Sequence, residues 1–236
     1  MNPSLKILSL ALLLATAACS RNQPATSADT QTPPVNESAP APMPVEPAAA
    51  PAAEPIAAPA LQAAMRDLWH GHIVHARDYA IAVHAGNQAD ASQAADAVVA
   101  NAHQISDAVA GFYGKAGGER MMELLGGHWG AVKALTDTRA AKDDAGATKA
   151  MADLTANAGE IARFLAGANP NLPEDTVRGL MLAHGAHHAQ QIQQIDADDS
   201  AGEATSWAAM QAHMDMIADA LAGAIAKQFP RRANVS

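Results

Sequence analysis

Three histidines stand at equal intervals: His72, His128 and His184 are each 56 residues apart. A leucine precedes each of them by four residues, which places leucine and histidine on the same side of a helix. Neutral imidazoles bind Zn, Cu, Ni or Fe, and three of them with an open fourth position form a common metal arrangement. His188 follows His184 by four residues, the spacing at which two imidazoles on one helix face can share an ion. The sequence therefore predicts a transition metal site at His72, His128, His184 and His188.

The same 56-residue shift relates many other positions, which indicates an internal threefold repeat. It takes Asn101 to Asn157 and then to His213. The apolar sets that it relates are Ile105, Ile161 and Ile217; Met65, Met121 and Val177; Val98, Leu154 and Met210; and Val109, Leu165 and Leu221.

Six segments show the 3.6-residue period of helices, and no segment shows the period of a strand. They cover about 61–85, 90–112, 118–139, 144–168, 173–196 and 203–228. Short connections make neighbouring helices antiparallel, so the first, third and fifth helices run parallel to one another. We therefore predict an all-α fold, a six-helix bundle built from three helical-hairpin repeats of about 56 residues. A closed pseudo-threefold bundle would bring the three histidines together, whereas an open stack would leave them about 10 Å apart.

Other polar residues are expected to support the site. Asn101, Asn157 and His213 are predicted to hydrogen-bond the imidazoles or cap the polar layer. Arg77 is a further candidate partner, although it lies off the apolar stripe and can equally form a salt bridge. Additional metal ligands are possible at His75, His187 and His213, while His70 and His84 are expected on the surface. Glycine stands beside each repeated histidine, at Gly71, Gly127 and Gly185, and would allow close helix approach.

Two alternatives to simple metal binding stay open. In one, histidine and asparagine form a buried hydrogen-bonded layer that fixes the register of the helices. In the other, a three-histidine site with an open coordination position serves a metal-dependent enzyme. No nucleophile elbow, phosphate loop or dinucleotide fingerprint is present, and no general acid or base other than histidine accompanies the site. These absences favour a protein without catalytic activity.

The N-terminal region has the features of an exported lipoprotein. Residues 1–18 have a basic residue, an apolar run and small residues before Cys19, as in a lipoprotein signal peptide. Cys19 is the only cysteine and the predicted site of lipidation, for example with palmitate. Residues 19–60 are rich in proline and alanine and are predicted to be a disordered tether. We expect residues 61–230 to form the helical domain and residues 231–236 a short tail.

These features predict a lipid-anchored protein of the cell envelope. The residue after Cys19 is serine rather than aspartate, which favours the outer membrane, with the domain facing the periplasm. The expected partner is the membrane, reached through the N-terminal lipid, while any protein partner is unknown. The formal net charge of −9 argues against nucleic acid as a partner.

Residues 61–230 also resemble a family of uncharacterised bacterial all-helical proteins. The matching residues are Leu68-Trp69 with His72 and Arg77, Asn101 with Ile105, Tyr113-Gly114, Leu124-Leu125 with His128, Asn157 with Ile161, Phe164-Leu165, Asn169-Pro170, His184, Ala218-Asp219 and Phe229-Pro230. The resemblance implies the helical fold but no established activity. Some members carry a glycosyltransferase label, which the lack of predicted strands and of an acidic metal motif does not support. The sequence departs from the family at His75 and His188, where other residue types are expected.

Overall fold

The computed structural model describes residues 58–233, in which every regular element is an α-helix and no strand occurs. The all-α prediction is confirmed for these residues, whereas the arrangement as three repeated hairpins stays a prediction. The signal peptide, Cys19, nearly all of the tether and the end of the tail lie outside the described residues. The helices are α1 (Pro59–His84), α2 (Gln88–Ala140), α3 (Asp144–Ala168), α4 (Glu174–Asp196), α5 (Ser200–Gln228) and α6 (Pro230–Ala233).

All six predicted helical segments occur among the described residues, and the chain adds one short helix, α6. The predicted second and third helices are two helical segments that meet at Gly114, whose backbone is not helical, and both segments are included in α2. Gly114 has φ 79° and ψ 172°, a conformation essentially restricted to glycine. The short helix α6 occupies residues that the sequence assigned to a terminal stop and tail. Proline at its first position explains why the chain turns there and begins a new helical turn.

Three tight turns connect helices with the same backbone geometry. Each has one residue with positive φ, and these residues are Gly86, Lys142 and Asp198. The next residue in each turn caps the following helix: the side chains of Asn87, Asp143 and Asp199 accept hydrogen bonds from the backbone N–H three residues later. Such caps satisfy amide donors that have no partner within the helix. The three turns are spaced by 56 residues, the same shift that relates the histidines.

The first long helix packs against the last, so the bundle is closed. Helix α1 contacts α2, α4 and α5. Between α1 and α5, the Arg66 guanidinium donates to both carboxylate oxygens of Asp219, through Nε at 2.8 Å and Nη2 at 2.6 Å. His70 lies 3.0 Å from Asp215 across the same contact. Closure excludes the open stack and places the inward faces of α1, α2 and α4 around one core.

The core consists of two apolar clusters with the polar residues of the helices between them. The first cluster includes Met65, Ile73, Ile105, Met121, Ile161 and Ile217. The second includes Tyr79, Val98, Val132, Leu154 and Ile192. Along α1 the change from the first cluster to the second occurs between Ile73 and Ala76, next to His72, and along α2 it occurs between Leu125 and Trp129, around His128. The histidines therefore lie in a buried layer between two apolar layers.

Candidate metal centre

Four imidazoles meet at the centre of this layer. His72 of α1, His128 of α2, and His184 and His188 of α4 are 2%, 5%, 2% and 2% exposed. One ring nitrogen from each can be chosen so that all four lie within 4.8 Å of one another. The six distances between ring centres range from 4.5 Å, for His184 and His188, to 5.9 Å, for His72 and His188. Three helices, α1, α2 and α4, thus contribute the four rings.

The fourth histidine breaks the threefold pattern. His188 corresponds in the repeat to Ala76 and Val132, both buried apolar residues. Because His184 and His188 are one helical turn apart, their rings lie on the same face of α4. Their Nε2 atoms are 3.1 Å apart. His75 and His188 are the two positions at which the sequence departs from the family that it resembles. His188 contributes an inward ring to the site, whereas His75 lies outside the group of four.

Several nitrogens of these rings are buried without a hydrogen-bond partner. His72 lacks partners at both Nδ1 and Nε2, His128 lacks one at Nε2, and His184 lacks one at Nδ1. A buried polar group left unsatisfied costs about 1–3 kcal/mol. Four such atoms in one layer therefore call for a further binding partner. An ion bound at the centre would be a partner for several rings at once.

The surroundings of the four rings hold them neutral. Burial lowers the pKa of His72 to about 3, with smaller contributions from His128 and His75. Burial lowers the pKa of His128 to about 4, which its interaction with Asn157 partly offsets. For His184 and His188 the pKa lies well below the usual 6.5, first through burial and then through the neighbouring imidazoles. Neutral imidazole is the form that donates a lone pair to a metal.

The predicted supporting residues contact the backbone just before the histidines. The Asn101 amide donates to the carbonyl oxygen of Leu68 at 2.9 Å, and the Asn157 amide donates to that of Leu124 at 3.0 Å. His213 Nε2 is 2.9 Å from the carbonyl oxygen of Leu180. Each carbonyl belongs to the residue four before a repeated histidine. Asn101 and His213 thus fix the helical turn that carries the imidazole rather than bonding the ring, while Asn157 also interacts with His128.

The neighbouring glycines have two different roles. A Cβ at Gly71 would lie 2.8 Å from the Asn101 amide nitrogen, and one at Gly127 would lie 3.1 Å from that of Asn157. These two glycines leave room for the amide to reach the carbonyl. A Cβ at Gly185 would instead meet the Leu154 side chain at 3.1–3.2 Å. Each glycine thus allows a neighbouring helix to come close. At Gly71 and Gly127 the group that comes close is an asparagine side chain, and at Gly185 it is a leucine side chain.

Arg77 does not support the imidazoles directly. Its guanidinium donates to Glu203 of α5 through Nε at 2.6 Å and Nη2 at 2.9 Å, and it lies over the ring of Trp207. Gln191 also donates to Glu203, at 3.0 Å. Of the two roles considered for Arg77, the structure thus shows the salt bridge, between α1 and α5. Sequence reasoning missed Glu203 because an acidic residue in the first turn of a helix is ordinarily exposed and favoured there by the helix dipole.

The remaining histidines lie outside the group of four. His70 is half-buried and lies near Asp215, while His84 is exposed and lies near Asp198. His187 is half-buried and its ring centre is 5.1 Å from that of His213. The ring of His213 is in turn 6.4 Å from that of His184 and nearly parallel to it.

Comparison with protein-family models, with curated proteins and with solved structures found no match to this chain. Among the helices of residues 58–233, none combines the length and the apolar character needed to cross a membrane.

Proposed function

We propose that the helical domain binds one transition metal ion through His72, His128, His184 and His188. The observation that carries the proposal is the convergence of four buried imidazoles, kept neutral by their surroundings and short of hydrogen-bond partners. Four buried side chains whose nitrogens lie within 4.8 Å of one another approach the arrangement that a single ion requires.

The distances between the rings agree with tetrahedral coordination. With bonds of about 2.0–2.1 Å, tetrahedral ligand nitrogens lie about 3.4 Å apart and their imidazole centres about 5 Å apart. The ring centres here are 4.5–5.9 Å apart, and the Nε2 atoms of His184 and His188 are 3.1 Å apart. Shifts of a few tenths of an ångström to about 1 Å would therefore place all four rings around one ion.

The ligand set favours an ion that accepts tetrahedral nitrogen ligands. Zn²⁺ meets this requirement and has no geometric preference of its own, whereas Cu²⁺ and Ni²⁺ prefer square-planar or tetragonal sites. Four protein ligands also leave no open position, which is typical of structural rather than catalytic zinc sites. We therefore infer that the ion is held or stored and stabilises the fold, and that the enzyme alternative is less favoured.

The second candidate is a hydrogen-bonded layer without metal. It is favoured by the 3.1 Å separation of the His184 and His188 Nε2 atoms, at which one imidazole can donate to the other. It leaves both nitrogens of His72 without a partner. That cost makes the metal site the better account of the layer.

The test is metal analysis of the full-length chain, purified in detergent without a polyhistidine tag. We expect one metal ion per chain, and a strong visible absorption when Co²⁺ replaces it, as tetrahedral cobalt sites give. His72→Gln should lose both signals, while His103→Ala, at an exposed position of α2, should keep them. The proposal is wrong if neither Zn²⁺ nor Co²⁺ binds or raises the melting temperature, and the hydrogen-bonded layer would then be the better account.

We further propose that the helices are arranged as three repeated hairpins around this site. Two structural features support it, both with the 56-residue spacing. One is the geometry of the turns at Gly86, Lys142 and Asp198. The other is the series of side-chain hydrogen bonds to the carbonyl oxygens of Leu68, Leu124 and Leu180, each across 33 residues. Separately expressed pairs of hairpins that reassociate with the third would support this arrangement.

For the N-terminal region we propose lipidation at Cys19 and a place in the cell envelope, with the domain facing the periplasm. This proposal depends only on the sequence of residues 1–60. The family resemblance likewise depends only on the sequence motifs of residues 61–230. Metabolic labelling with a palmitate analogue tests lipidation. Equal labelling of the unmodified chain and of Cys19→Ser would show that Cys19 is not acylated.

A further inference from the structure

A pair of histidines lies between the buried centre and the surface. The ring of His187, which is half-buried, is 5.1 Å from that of His213, and the ring of His213 is 6.4 Å from that of the ligand candidate His184. These rings form a line from the contact of α4 with α5 to the four-histidine group. No equivalent line exists at the related positions of the other two hairpins in the described chain, where asparagine takes the place of His213.

The hydrogen bond of His213 determines which of its nitrogens is available. Its Nε2 faces the carbonyl oxygen of Leu180 at 2.9 Å, and a carbonyl oxygen only accepts, so Nε2 carries the proton. In the neutral ring the lone pair is then on Nδ1. Asn101 and Asn157 make the same bond to their carbonyls with an amide N–H. Compared with Asn101 and Asn157, His213 makes the same bond to the backbone. Where asparagine has an amide oxygen, His213 has a ring nitrogen, which binds transition metals well.

A buried four-ligand site needs a route by which an ion reaches it. The four rings are 2–5% exposed and lie between two apolar clusters, through which a hydrated cation cannot pass without losing its water. A ligand that takes over one coordination position at a time avoids the exposure of a bare ion. Half-buried His187, followed by His213, provides two such ligands in the order that an incoming ion would meet them.

We propose that His187 and His213 form a transfer site that passes a divalent transition metal ion to the four-histidine centre. The proposal rests on the proposed metal site and adds the route by which that site is filled. In each step one metal–nitrogen bond forms as a metal–water or metal–nitrogen bond breaks, so the ion keeps its charge and no redox partner is needed. The ion passes from His187 to His213 and then to His184.

The experiment measures the rate of Zn²⁺ uptake by the metal-free full-length chain, followed by stopped-flow, together with the affinity at equilibrium. The variants are His187→Ala and His213→Asn. A third variant combines His213→Asn with Ala183→Gly. It reproduces the pair formed by Asn101 and Gly71, in which glycine leaves room for the amide to reach the carbonyl. The control is His103→Ala, which removes an imidazole at an exposed position of α2.

We expect uptake to slow by about tenfold or more in the His187 and His213 variants, which corresponds to about 1.4 kcal/mol in the barrier to transfer. Affinity at equilibrium should be unchanged in His187→Ala and in the double variant at 213 and 183, so release to a chelator should slow by the same factor, because the route in is also the route out. His103→Ala should bind at the original rate. Unchanged rates in all variants, or rates that fall equally in the control, would overturn the transfer site while leaving the four-histidine site intact. A loss of affinity in His187→Ala, or in the double variant that keeps the bond to the Leu180 carbonyl, would make that histidine a permanent ligand, which also contradicts the proposal. Failure of the unmodified chain to bind Zn²⁺ would instead reject the proposed function.

Discussion

Acidification should destabilise the metal-free protein in a pH range set by the four central histidines. In the folded chain these imidazoles resist protonation, with a pKa of about 3 for His72, about 4 for His128, and a pKa well below 6.5 for the other two. In the unfolded chain each binds a proton below about pH 6.5. The unfolded state therefore binds more protons, and stability is complete above about pH 6.5 and is lost as the pH falls below it.

The size of the effect follows from the number of rings. At about pH 5 each imidazole that stays neutral in the folded chain removes about 2 kcal/mol of stability, so His72 and His128 together remove about 4 kcal/mol. His184 and His188, whose pKa values are also lowered, add to this loss. A typical domain has only about 5–15 kcal/mol. Glu203 and Asp219, whose pKa values are lowered by their arginine partners, add a loss only below their ordinary values of 4.5 and 3.8. We therefore expect the metal-free protein to unfold or lose its fixed packing near pH 5.

The assay is urea unfolding of the chelator-treated protein between about pH 7.5 and pH 5, within which histidine is the main titrating side chain. The variant His72→Leu should lessen the loss of stability at pH 5 by about 2 kcal/mol, and His103→Ala should leave it unchanged. A free energy of unfolding that varies by less than about 2 kcal/mol over this range would refute the reasoning, because even one buried neutral imidazole should produce that change.

Three further predictions concern the fold. Replacing Arg77 with Met should cost about 1–3 kcal/mol, because it leaves the buried Glu203 carboxylate without its cation, and the double variant with Glu203→Leu should recover most of that loss in thermal unfolding; equal losses in both would contradict a buried ion pair. Gly127→Ala should destabilise the protein, because its Cβ would lie 3.1 Å from the Asn157 amide nitrogen. Gly130→Ala, with no atom within 4 Å of its Cβ, should stabilise the protein by about 0.5–1 kcal/mol. Changes of the same sign in the free energy of unfolding of both variants, measured by chemical denaturation, would refute the contact. Gly114→Ala should cost about 1–3 kcal/mol through backbone strain alone, since its Cβ would meet no atom within 4 Å; an unchanged melting temperature would show that the kink adapts.

Periodicity in the sequence determined the helices and the level of the histidines. The 3.6-residue period and the capping residues Asn87 and Asp143 depend on local interactions, which the sequence contains in full. The 56-residue spacing gave His72, His128 and His184 a common height because equal positions in parallel helices rise equally.

The tertiary structure decided which polar residues contact one another. Arg77 could bond an anion, an imidazole or a carboxylate, and its choice of Glu203 depends on how α5 packs against α1, which no local pattern contains. The break in α2 at Gly114, by contrast, lies between the predicted second and third helices, because glycine tolerates the positive φ that interrupts the helix there. By itself the sequence determined an all-helical chain with histidines at repeated positions. Only the packing of α1, α2 and α4 against one another brought four of those histidines within reach of one ion, because distances between helices are set by contacts far apart in the chain.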